Sequence, residues 1–119
     1  MANNDFGEYV RKLRIERNYS LKQLAEEIEI TPYYLSYIES GRKTNPNQRI
    51  IARIFVVLKM NKSQIEYFLD LHAKANGIVS YDIADYIMKN DDIRKGIRSA
   101  RDKQEASPNW EDFINDFIK

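Results

Sequence analysis

SLKQLAEEIEITPYYLSYIESG, residues 20–41, decides the fold of this chain. It reads as two short helices joined by a tight turn. Ser20 N-caps the first, and Gln23 three residues on completes a capping box. Leu21, Leu24, Ala25 and Ile28 then recur at helical spacing on one face. Glu29 and Ile30 carry the turn. Thr31 is a second N-cap, and Pro32 stands at N1, where a missing N–H costs nothing. Leu35 and Ile38 give the second helix a narrow apolar stripe. Gly41 ends it, as a residue free to take positive φ.

The other positions of that second helix are Tyr33, Tyr34, Ser36 and Tyr37. A short helix that turns such polar-tipped side chains outward, pinned by a helix behind it, has the layout of a major-groove reading head. Before it, Phe6 to about Asn18 forms a helix with Phe6, Val10, Leu13 and Arg17 on one face. After it, Thr44-Asn45-Pro46 is a loop. Asn47 or its successor opens a helix to about Met60, apolar over more than half its circumference and therefore expected to be buried on two sides. Ser63 with Glu66 forms a further capping box, predicting a helix to about Asn76 with Ile65, Phe68, Leu69 and His72 inward. A lone histidine among apolar neighbours reads as a packed side chain rather than a ligand or a base.

Beyond Ile78-Val79 three more short helices are expected. Ser80 caps the first, Asn90-Asp91-Asp92 starts the second, and Ser107-Pro108 opens the last. The second carries the basic row Arg94, Lys95, Arg98 and Arg101, read as a solvated face. The last has Trp110, Phe113, Ile114 and Phe117 on one side. The domain reading is therefore a DNA-reading unit over 1–76, with its reading helix at about 32–40, and a helical extension over 77–119. That extension either dimerises or completes the core.

With 119 residues and 43% hydrophobic content, the chain has material for a folded unit rather than a disordered tail. It contains no run of apolar residues of membrane-spanning length, no signal-peptide pattern and no cysteine, which together predict a cytoplasmic protein without disulfides or thiolate metal sites. Net charge is only +1, but its distribution is uneven. Residues 1–60 hold ten Lys/Arg against seven Asp/Glu, and residues 61–119 hold nine against eleven. Between Ser40 and Ile65 stand six basic residues (Arg42, Lys43, Arg49, Arg53, Lys59, Lys62) and no acid, an electrostatic footprint beside the reading helix. Catalysis wants a nucleophile with a base, paired carboxylates or a metal cluster. One histidine, no cysteine and acids scattered over helix surfaces argue against an enzyme, a cofactor, a metal or a small-molecule ligand.

Leu13-Arg14 with Arg17, Leu24-Ala25, Ile30-Thr31, Leu35-Ser36 and Ile38-Glu39-Ser40-Gly41-Arg42 together resemble the Cro/C1-type (XRE-like) helix-turn-helix regulators of the phage-repressor class, from about Phe6 to about Met60. The resemblance implies an all-α fold: a lambda-repressor-like five-helix DNA-binding domain, here with a C-terminal helical extension. It implies a homodimer on a palindromic operator in double-stranded DNA. It assigns base contacts to Pro32, Tyr33, Ser36 and Tyr37, and phosphate contacts to Leu21, Lys22, Thr31, Arg42, Lys43 and Asn45. It also implies a structural ion pair between Arg14 and Glu39. Three positions depart from the family pattern. Glu29 stands where glycine is frequent, which leaves a turn of different construction open. Leu21 replaces a common amide. Pro32 cannot donate to a base, which shifts readout to Tyr33, Ser36 and Tyr37. The tail resembles, more loosely, those of small regulators of mobile genetic elements, through Asp82 to Tyr86, Asn90-Asp91 and Trp110 to Ile114.

The expected function is thus sequence-specific DNA binding in transcription regulation, as a repressor. The alternative is a protein-interaction module or antitoxin-like partner that uses its apolar C-terminal helices, with Trp110, Phe113 and Phe117 as the dimer or partner surface.

Overall fold

In the computed structural model, which describes residues 4–103, seven helices succeed one another with no strand among the described residues. They are α1 (Asp5–Glu16), α2 (Leu21–Glu27), α3 (Pro32–Ser40), α4 (Gln48–Val57), α5 (Lys62–Asn76), α6 (Tyr81–Lys89) and α7 (Asp91–Lys103). The expected last helix, with Trp110, Phe113 and Phe117, lies outside the described residues. No helix among the described residues is long and apolar enough to cross a membrane. Two compact units divide the chain between Ile83 and Ala84.

In the first unit α1 packs on both α3 and α5, and α2 packs on α3. The core joins Phe6, Val10 and Leu13 to Leu24, Ile28, Leu35, Ile38, Ile51, Ile54, Leu58 and Phe68. Phe6 and Phe68 stack with ring centroids 5.1 Å apart, and Tyr9 meets Tyr67 edge-on at 4.9 Å. Gly7 lets α1 approach α3: a Cβ there would stand 2.4 Å from the Ile38 carbonyl oxygen and 2.7 Å from that of Glu39. Buried His72 lies between the rings of Phe6 (5.3 Å) and Tyr81 (5.0 Å), and neither ring nitrogen has a hydrogen-bond partner. Burial pulls its pKa below the ordinary 6.5.

The helix ends explain where sequence and structure part. Three helices stop in the same backbone motif, with the residue after the C-cap left-handed: Asn18 (φ +62°), Glu29 (φ +62°) and Lys59 (φ +53°). In each, paired bonds tie the next two N–H groups back to the last turn; Glu29 donates to Glu26 O (3.2 Å) and Ile30 to Ala25 O (2.9 Å). The turn at Glu29 therefore keeps the shape glycine would give it, and the different construction left open by the sequence is not found. Helix α4 is shorter than expected and buried on one face only. Ile51 and Ile54 are inside, Ile50, Phe55 and Val57 are half-buried, and Val56 is exposed. The capping box of α5 is Asn61 with Gln64, not Ser63 with Glu66: Asn61 Oδ1 accepts from Gln64 N (2.8 Å) and Gln64 Oε1 from Asn61 N (3.0 Å). The chain reverses at Lys59, so the helix begins two residues early. The Ser80 hydroxyl donates to Asp70 Oδ1 at 2.5 Å, tying the start of α6 to α5.

The second unit takes in most of α6 and α7. Arg94 does not remain in the solvated row expected of it. Its guanidinium bonds the Ile87 carbonyl (3.0 Å) and that of Met88 and pairs with Asp91, covering the orphan carbonyls at the end of α6. Asn90 Nδ2 adds a bond to Tyr86 O at 2.7 Å. Neither helix has a buried residue, and Tyr86, Met88 and Ile97 stand exposed.

Candidate nucleic-acid interface

Local capping sets α3. Thr31 Oγ1 accepts from Tyr34 N at 3.0 Å, Pro32 follows at N1, and Gly41 closes the helix at φ +83°. Leu35, Ile38 and Glu39 are buried against α1 and α2, and Tyr34 packs partly inward. The opposite face is left to Pro32, Tyr33 and Ser36, all exposed, and half-exposed Tyr37.

The helix is locked from behind. Arg14 reaches from α1 to Glu39 with two parallel bonds, Nε to Oε2 at 2.7 Å and Nη2 to Oε1 at 3.0 Å, and its third arm donates to Tyr19 O at 3.0 Å. The side chains of this pair are 13% and 8% exposed, so removing either partner strands a buried charge. Asn4 Nδ2 adds a bond to the Glu39 carbonyl at 3.1 Å.

Around the reading face stand the expected phosphate contacts. Leu21 and Lys22 occupy the first turn of α2, whose capping box is complete: Ser20 Oγ accepts from Gln23 N (3.0 Å) and Gln23 Oε1 from Ser20 N (2.9 Å). Arg11, Arg14, Leu21, Ser36, Glu39 and Ser40 line one open depression, so the start of α2 and the reading face border the same hollow. Arg11, an ordinary surface charge by sequence, stands there too; its place one turn before Arg14 was the available signal. In the loop after α3, Arg42 and Asn45 are exposed and Lys43 is half-buried. Asn76 holds that loop, donating to Thr44 O at 2.7 Å and to His72 O at 2.9 Å.

The basic footprint is smaller than its sequence count. Arg53 pairs with Glu29 (Nη2 to Oε2, 2.7 Å) and donates to Ile28 O at 3.4 Å, so it serves the turn between α2 and α3. Arg17, counted on the apolar face of α1, donates to Leu58 O at 2.9 Å and to Gln64 Oε1 at 3.3 Å, joining α1 to the junction between α4 and α5.

Two helices at a tight turn, the second showing a polar face and anchored by buried charge, define a helix-turn-helix protein. The family described as a helix-turn-helix domain matches residues 7–71, and the chain belongs to this XRE-like family. It is similar to the HTH-type transcriptional regulator SinR of Bacillus licheniformis, 29% identical over 90 residues that cover 70% of this chain and 81% of the relative. It is also similar to SinR of Bacillus subtilis strain 168 (34% over 55 residues, 46% of this chain and 50% of the relative). The HTH-type transcriptional regulator SlrR of that strain is 32% identical over 59 residues, 50% of this chain and 39% of the relative. No solved structure matches the chain significantly.

Proposed function

We propose that this DNA-binding transcriptional regulator is a repressor that binds a palindromic operator as a homodimer. The observation that carries the reading is the outward face Pro32, Tyr33, Ser36 and Tyr37 on a helix held from behind by Arg14–Glu39. Lys22, Arg42, Lys43 and Asn45, with Leu21 and Thr31 at helix starts, contact phosphates and set register. Tyr33, Ser36 and Tyr37 reach base edges. Residues 1–76 form the reading domain and residues 77–119 the dimerisation segment. Symmetry then doubles a single half-site contact. A protein that acts by occupying a promoter denies that DNA to the transcription machinery, hence repression, in the cytoplasm where its target lies.

The exposed side chains Tyr86, Met88 and Ile97 favour a second reading, in which the extension engages another protein. One experiment separates the two: recovery of sheared genomic DNA by the purified chain at two salt concentrations. A recovered palindrome, lost at high salt and weakened at least about tenfold by Tyr37→Ala, is the expected result. Absence of any enriched DNA overturns the operator reading in favour of the protein partner.

A further inference from the structure

Residues four apart on a helix are separated by about 6 Å along its axis, close to two base-pair steps of about 3.4 Å. Two such side chains ordinarily address two positions of a duplex. Tyr33 and Tyr37 have this spacing, yet their tips converge. The hydroxyl oxygens are 2.7 Å apart, and the ring centroids stand 4.6 Å apart at 45°. The tips are closer together than one base-pair rise. Burial does not force the arrangement, since Tyr33 is 69% exposed. Arg42 adds a contact to the pair, with its guanidinium carbon over the Tyr37 ring, 5.6 Å from the centroid. The Lys43 N–H donates to the Tyr37 carbonyl at 3.0 Å, so the loop that carries Arg42 is fixed to the same residue.

Between two phenols, one proton is used in their mutual bond. The pair keeps a single outward proton, a set of oxygen lone pairs and two tilted apolar ring edges. In the major groove, an acceptor beside an apolar group is the pattern of thymine, with its O4 and its C5-methyl. We infer that Tyr33, Tyr37 and Arg42 form one reading unit that addresses a single A·T pair through its thymine, an inference that rests on the DNA-reading role of α3. Arg42 is then more than a phosphate contact: it positions Tyr37.

The test uses the full chain and its selected operator, with every base pair varied in turn, against Tyr33→Phe, Tyr37→Phe, the double variant and Arg42→Lys. Each Tyr→Phe change keeps the ring and removes one hydroxyl. As a single unit, both single variants lose discrimination at the same base pair, by about tenfold, and the double variant loses no more than the worse single. Uracil in place of thymine at that position weakens the wild type, since it lacks the methyl. Arg42→Lys keeps the charge but not the guanidinium over the Tyr37 ring, so it relaxes discrimination at that pair and leaves the salt dependence unchanged. Losses that map to two base pairs, or that multiply to about a hundredfold in the double variant, overturn the single unit while leaving α3 as the reader. If Tyr37→Ala and Ser36→Arg both leave operator binding unaltered, α3 is not the reader and the reading itself falls.

Discussion

At the scale of single residues, His72 is the side chain whose chemistry and surroundings are least matched. It is buried between two rings with no hydrogen-bond partner, so the folded protein holds it neutral. The unfolded chain protonates it near pH 6.5, while the folded chain resists until lower pH. Below pH 6.5 the unfolded state therefore binds more protons, and stability falls as pH drops through that window; above it, His72 contributes no pH dependence. Unfolding midpoints of wild type and His72→Phe across pH 7.5 to 5 should run parallel above about 6.5, with wild type falling relative to the variant below it. Parallel curves throughout would show that folding leaves the pKa of His72 unchanged. Arg14 and Glu39 present the opposite case, two buried charges that satisfy each other and fix the angle of α3.

At the scale of elements, the crossing of α1 over the end of α3 depends on Gly7. Gly7→Ala puts a methyl against two carbonyl oxygens of the reading helix, neither of them on a flexible side chain. A cost of about 2 kcal/mol in chemical denaturation is expected, with weaker operator binding from a displaced α3. An unchanged denaturation midpoint would mean that α1 can slide without strain. This crossing also marks the limit of what the sequence could reveal. Ser20, Thr31 and Gly41 act on groups within a turn of themselves, so spacing alone exposes them, and α2 and α3 were legible almost to the residue. The start of α5 was not. Asn61–Gln64 and Ser63–Glu66 are both sound capping boxes, and the choice between them depends on the left-handed Lys59 and on Arg17 reaching Leu58 O across the fold. Nor could Arg53–Glu29 be read locally, because Arg53 stands on α4 and Glu29 in the turn after α2. Arg14–Glu39 was legible only through the family pattern. Tyr33 and Tyr37 were visible as neighbours on the outer face of α3, but their convergence depends on rotamers that residue spacing does not specify.

At the scale of the whole molecule, the two units differ in how completely their helices are buried. The first has a closed core, whereas no residue of α6 or α7 is fully buried, although Tyr81 packs partly against that core. If the extension dimerises the protein, Ile97→Asp in the exposed stripe of α7 should shift sedimentation from dimer to monomer and lower operator affinity about tenfold or more, with the reading domain's melting behaviour unchanged. A dimer that persists in this variant would place the interface elsewhere. The first unit also has a consequence for how such a regulator diverges. Asn76 secures the loop that carries Arg42, Lys43 and Asn45 chiefly by donating to a main-chain oxygen, that of Thr44. A main-chain acceptor is present whatever side chain the position bears. The loop can therefore exchange its charges and its length of reach over successive generations, adapting to a different stretch of backbone on a new promoter, while one asparagine on another helix keeps it moored.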